Sequence, residues 1–235
     1  MELPLGDERT IVKFTTYIAL AIAFVTSAGA RAVDLQDLIK ETQRTSNESG
    51  QVTLVWWMPQ AFWTASLNAS STLSAEGRAE ATKALEDYTF FAVVRAKTLL
   101  GGGGLGDAPP REDLLKNVRL EIDGKAIEPL PPESLSASAR AMVMAFKPAM
   151  ARIIGQLGQN MEFIVYPARQ DGKLLLDPTA AGGFKYTVYD KTFTWRLPLG
   201  SLLPPRFDPK THEQFPGNFQ FNPYTGAKLT ATDAH

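Results

Sequence analysis

Apolar and polar positions change period every few residues along this chain, and clusters of Gly, Pro, Asn and Asp separate the changes. QVTLVWWMP, beginning at Gln51, has the Val, Thr and Trp content of a strand and is stopped by Pro59. A turn of helix follows over Ala61 to Leu67. Ser74 stands as an N-cap before AEGRAEATKALEDY, where Ala81, Leu85 and Tyr88 recur at helical spacing and Gly77 weakens the helix slightly. TFFAVVRAKTLL is the most strand-like run. VRLEIDGKAIEPL reads as a hairpin turning at Asp123-Gly124. Ser136 opens a second helix, ASARAMVMAFKPAMARIIGQLG, kinked or broken at Pro148 and stopped near Gly158.

Further along, MEFIVYPARQDGKLLLDP reads as two strands around Asp171-Gly172. GGFKYTVYDKTFTWRLPL reads as another hairpin. Phe184, Tyr186 and Val188 share one face, and Phe193, Trp195 and Leu197 alternate beyond a turn at Asp190-Lys191. Ahead of all these, DLQDLIKETQ and a Ser/Asn/Gly linker make residues 33–50 a short helix or a loosely held arm. Hairpin signals outnumber crossover signals. The expectation is an α+β fold with a mainly antiparallel sheet, as a sandwich or half-barrel, and two principal helices. The domain spans residues 51–203, a small ribbon-like appendage follows over 204–229, and residues 230–235 form a disordered end.

The N-terminal pattern differs. Arg9 and Lys13 precede an apolar run from Phe14 that passes into small residues and ends in Ala30-Arg31-Ala32, the A-x-A form of a signal-peptidase site. Residues 1–32 therefore read as an export signal, with an uncleaved membrane anchor as the alternative. Formal net charge is −1, from 24 basic and 25 acidic side chains. That balance supplies no basic field for a phosphate backbone and excludes nucleic acid as a partner. The chain has no cysteine. An exported protein of this kind has neither disulfides nor a lipid-bearing thiol, so it relies on its core and stands free in the envelope space or outside the cell.

Each candidate for chemistry has a plainer alternative. GGGGLG at residues 101–106 satisfies G-x-G-x-x-G, but Asp107-Ala108-Pro109-Pro110 follows where a helix is required, so the run reads as a connector. Trp56, Trp57 and Trp63 either fill the core or offer an aromatic edge to a sugar or peptide. Met142, Met144 and Met150 mark the second helix as deeply buried or as docking a partner. With two histidines, His212 and His235, no cysteine nucleophile and no G-x-S-x-G elbow, nucleophilic arrangements lack parts, and no catalytic residue is assigned. A carboxylate-dependent hydrolase would draw on Glu121, Asp123, Asp171 and Asp177.

The end of the chain, FDPKTHEQFPGNFQFNPYTGAKL, holds two copies of one turn: Asp208-Pro209-Lys210-Thr211-His212 and Asn222-Pro223-Tyr224-Thr225-Gly226. Over residues 207–229 this resembles the paired knuckles of a zinc ribbon, written C-P-x-C-G and F-C-P-x-x-G-x-x-L, in which four thiolates converge on the metal. Here those ligand positions fall on Asp208, Thr211, Asn222 and Thr225. Threonine and asparagine are poor zinc ligands, so no metal and no cofactor is expected. Asp and Asn accept hydrogen bonds from the backbone two residues on, threonine does so more weakly, and Gly226 tolerates positive φ. Phe215, Phe219, Phe221, Tyr224 and Leu229 supply apolar surface between the turns. With RLPLGSLLPPR before it, the tail is similar to exported bacterial proteins of unassigned function whose tails keep the cysteines. That resemblance implies an envelope location and no activity.

The resulting expectation is a noncatalytic binding or assembly module of the cell envelope. It would contact an envelope protein through the tail (Phe215, Phe219, Phe221, Tyr224) or the Trp-rich edge (Trp56, Trp57, Trp63). Carbohydrate is the other ligand class, and a membrane enters only if the signal stays uncleaved. The alternative is a hydrolase of an envelope carbohydrate.

Overall fold

The computed structural model describes residues 33–48, 50–71, 73–98 and 104–232. Residues 1–32, expected to be an export signal, most of the glycine run and the last three residues lie outside this range. The chain forms an α+β fold of antiparallel strands. Helix α1 (Leu35–Thr42) leads into β1 (Gln43–Glu48) and β2 (Gln51–Met58). Helices α2 (Gln60–Ala69) and α3 (Ala75–Leu85) precede β3 (Tyr88–Lys97). After α4 (Arg111–Lys116) come β4 (Val118–Ile122) and β5 (Lys125–Ile127), then α5 (Ala137–Ile154), α6 (Gln156–Gln159) and β6 (Glu162–Pro167). The short pair β7 (Arg169–Gln170) and β8 (Lys173–Leu174) precedes β9 (Gly182–Val188) and β10 (Lys191–Leu197). A last pair, β11 (Arg206–Phe207) and β12 (Gln214–Phe215), belongs to the tail.

Two four-stranded sheets form, in the orders β1-β2-β3-β6 and β10-β9-β4-β5. They face each other through aromatic rings. Phe91 of β3 stacks on Tyr186 of β9 with centroids 4.4 Å apart, and Trp57 meets Phe184 edge-on at 5.0 Å. Phe184 in turn stacks on Trp195 at 4.9 Å. Tyr166 and Tyr186 are buried with their hydroxyls 3.3 Å apart, so each gives the other a polar partner inside the apolar layer. Burial pushes both phenols up from their ordinary values, which keeps them neutral.

The opposite face of the first sheet is covered by helices. Trp63 of α2 meets Phe90 and Phe146 edge-on at 5.4 and 5.1 Å, and Phe146 of α5 meets Phe163 of β6. The void beneath α5 measures only about 10 Å³, the volume of a single water at most, and its lining is aromatic and aliphatic. The layers thus run helices, sheet, sheet. The outer face of the second sheet carries polar residues such as Lys185, Thr192, Thr194 and Arg196.

Several elements differ from the sequence-based expectation. Residues 43–48, read as part of the N-terminal arm and its Ser/Asn/Gly linker, form β1, whose full length pairs with β2 from Gln43↔Trp56 to Glu48↔Gln51. Its sequence is polar because β1 is an edge strand. α3 and α5 are joined by α1 and α2, so the body has more than two principal helices. α5 runs through Pro148 unbroken; Met142, Phe146, Ala149 and Met150 are buried against the sheet while Pro148 faces outward. That packing outweighs the roughly 3 kcal/mol cost of an interior proline. The β9–β10 turn sits one residue earlier than read, at Tyr189-Asp190, because Val188 pairs with Lys191. Thr230, placed in the disordered end, exchanges two backbone hydrogen bonds of 2.9 Å with Phe207.

Phe91 is fully buried and touches Tyr166, Phe184 and Tyr186. Phe91→Ala should therefore cost about 3–5 kcal/mol in urea unfolding. A loss below about 1 kcal/mol would mean that the two sheets do not share this aromatic layer.

Candidate functional site

The tail is built from two turns with matching hydrogen bonds. In the first, Asp208 Oδ1 accepts from Lys210 N–H and Thr211 N–H at 2.8 and 3.1 Å, and His212 N–H donates to Asp208 C=O at 2.9 Å. In the second, Asn222 Oδ1 accepts from Tyr224 and Thr225 N–H at 2.8 and 3.3 Å, and Gly226 N–H donates to Asn222 C=O at 2.8 Å. Thr211 and Thr225 occupy equivalent places: their hydroxyls accept from Glu213 and Ala227 N–H at 3.4 and 3.3 Å. His212 and Gly226 both adopt left-handed backbone, at φ 60° and 74°. The proline after each Asx residue fixes φ at the start of the turn.

The two turns meet. Asn222 Nδ2 donates to Asp208 Oδ2 at 2.7 Å, and both residues are buried at 2% exposure. Each side chain therefore caps its own turn with one atom and reaches the other turn with the second. This bond joins residues 14 apart in sequence. Sequence reasoning found both residues as turn formers but not their contact, and the only signal for it is the repeat itself. No group of three or more His, Cys, Asp or Glu that could hold a metal occurs among the described residues.

Beneath the turns lies a small apolar cluster. Phe215 and Leu229 are 6% and 4% exposed, and Phe215 stacks on Phe219 at 6.4 Å. The mini-sheet β11–β12 and the bridges Phe207↔Thr230 and Phe221↔Lys228 close it. The tail is fastened to the body at close quarters. Gly217 N–H donates to Gly200 C=O at 3.1 Å, and Asn218 Nδ2 to Pro198 C=O. A Cβ on Gly217 would stand 2.3 Å from Pro204 O, so glycine is required there. The Glu41 carboxylate of α1 accepts from Gly200 N–H and Ser201 N–H at 2.8 and 2.9 Å, holding the segment from which the tail departs. Nothing local in the sequence marks Glu41, because its partners lie 159 and 160 residues away.

Of the aromatic residues considered for contact, Phe219, Phe221 and Tyr224 face outward, with exposures of 37%, 54% and 82%. Phe215 belongs to the tail's interior. Trp56, Trp57 and Trp63 are 6%, 0% and 6% exposed, so they leave no aromatic edge for a partner. Adjacent strand residues point to opposite faces, and both faces of β2 are covered, which is why Trp56 and Trp57 are buried together.

The four carboxylates do not converge. Asp123 and Asp171 sit in hairpin turns at φ 50° and 51°. Glu121 pairs with Arg119 at 3.4 Å on the outer face of β4. Asp177 accepts from Thr179 N–H and Oγ1 at 2.8 and 2.7 Å, bonds that hold its carboxyl below the ordinary range. Among the described residues, no helix is long and apolar enough to cross a membrane. Comparisons with protein-family models, with curated proteins and with solved structures find no match.

The Asp208 carboxyl is held below its ordinary value of 3.8, first by the Asn222 hydrogen bond and then by the N–H groups of Lys210 and Thr211. A depressed folded-state value gives stability that is complete above the ordinary value and lost as pH falls through the lower one. Amide protection in the tail should therefore hold from neutral pH to about pH 4 and fail below it, and Asp208→Asn should remove that acid step. Protection that decays from near pH 6, or an unchanged acid step in Asp208→Asn, would show that another group governs the tail.

Proposed function

We propose that this chain is an exported, noncatalytic binding or assembly module of the cell envelope, and that its tail is the contact surface for an envelope protein. The observation that carries this reading is the exposure of Phe219, Phe221 and Tyr224 on a scaffold whose backbone is fixed by two capped turns. Large aromatic side chains are costly to leave in water and anchor protein interfaces well, because they bury much area while losing little conformational freedom. A rigid presentation lowers the ordering cost of binding further. Residues 1–32, with their A-x-A end, support the export half of the reading.

The test is crosslinking in the native envelope with mass spectrometry, comparing the natural chain with F221S/Y224S. Both side chains are more than half exposed, so the variant should keep the same urea midpoint. One envelope protein should be captured in near-stoichiometric yield by the natural chain and lost at least about tenfold in the variant. Equal capture by both, or capture of nothing by either, would overturn the tail as a docking element.

A further inference from the structure

The inter-sheet layer changes character toward one end. Down the β2–β3 ladder the pairs facing the second sheet pass from Trp57↔Phe91 and Val55↔Val93 to Thr53↔Arg95 and Gln51↔Lys97. The sandwich therefore opens into a polar mouth, a cleft of about 300 Å³, at the lower end of the range for small-ligand sites. The loop at Asp107 and helix α4, through Asp113, form its other wall with Tyr189 of the β9–β10 turn.

One side of this mouth is rigidly organised. Tyr189 has φ 53°, a left-handed conformation in which a non-glycine residue stores strain. Three contacts hold it there. Its N–H donates to Asn117 C=O at 2.7 Å, its hydroxyl donates to Asp113 Oδ2 at 2.6 Å, and the Arg95 guanidinium lies over its ring at 5.3 Å. Burial and the Asp113 carboxylate push the phenol up to about 12, so it stays a donor at neutral pH. Arg95 is itself fixed by Thr53 Oγ1 at 2.6 Å and Asp190 at 2.9 Å. Strain maintained by surrounding contacts is common at binding sites, where it sets the shape in advance.

The remaining groups in the mouth are unsatisfied in a specific way. The Gln51 Oε1 acceptor is buried and finds no donor among the described residues. Lys97 and Asp107 line the same cleft, yet they make no ion pair with each other or with any described residue. The lining cations Arg95 and Lys97 are balanced by Asp107 and Asp113. A lone anion would meet two carboxylates, and a lone cation would meet two bases. A molecule carrying both charges satisfies the set. Its carboxylate would take Lys97, and its ammonium would take Asp107 and the free acceptor of Gln51. Ala108 and Pro109 supply a small apolar wall for an aliphatic side chain. We propose that this mouth is a binding site for a small zwitterion of the α-amino acid class.

The proposal stands apart from the tail. It is tested on the full chain by following amide resonances during titration with L-leucine, N-acetyl-L-leucine and L-leucinamide. L-leucine should shift Gln51, Ala96, Lys97 and Ala108 saturably at millimolar concentration, and each half-blocked ligand should bind about tenfold more weakly. Lys97→Met and Asp107→Asn change exposed side chains that make no ion pair with a described residue, so both variants should fold normally. Each should weaken L-leucine about tenfold. Lys97→Met should leave L-leucinamide unaffected, and Asp107→Asn should leave N-acetyl-L-leucine unaffected. No saturable shift with L-leucine, equal shifts with all three ligands, or variants that bind L-leucine as well as the natural chain would each overturn the proposal.

Discussion

Covering both faces of the β1-β2-β3-β6 sheet determines where the large side chains of the body go. One face meets the second sheet through Trp57, Phe91, Tyr166, Phe184 and Tyr186, and the other meets the helices through Trp56, Trp63, Phe90, Phe146 and Phe163. A chain without disulfides needs such a double core, since hydrophobic burial is what offsets the conformational entropy of folding. The same constraint removes these aromatic rings from the surface. The proposed contact surfaces lie where the layered order stops: the polar mouth of the sandwich and the tail beyond β10.

The tail solves a different problem. It is too small to bury much apolar surface, so a zinc ribbon would staple it with metal. Here Asp208 and Asn222 meet instead, each capping one turn while bonding to the other. Two buried polar side chains are tolerable only when their atoms are hydrogen-bonded, and this pair comes close to that condition using backbone N–H groups and each other. The aromatic side chains of the turns are then sorted by geometry. Phe215 turns under and Phe221 and Tyr224 stand out.

What could be read from the sequence was local. Turns at Asp123-Gly124 and Asp171-Gly172, with positive φ at all four residues, follow from the preference of Asp-Gly for that backbone. The caps at Ser74 and Ser136 follow from one hydroxyl and its third neighbour, Gly77 and Ala139. Long-range choices were not legible. β1 is polar because it lies at an edge, and only its pairing with β2 identifies it as a strand. The fate of the three tryptophans depended on how many layers form. Glu41, Tyr189 and the Asp208–Asn222 contact act on residues distant in sequence, and no spacing rule reports such partners. The exposed aromatics of the tail were named from composition, but their separation from Phe215 needed the fold.

The claim at the centre of this account is that the Asp208–Asn222 hydrogen bond couples the two turns into one unit that presents the contact surface. A double-mutant cycle on Asp208→Ala and Asn222→Ala, read by amide exchange at Thr211 and Thr225, tests it most directly. Each single change should lower protection in both turns by about tenfold or more, and the double variant, which loses both caps, should fall short of the product of the two single losses by about the tenfold that the shared bond supplies. Losses confined to the mutated turn, multiplying in the double variant, would contradict the account.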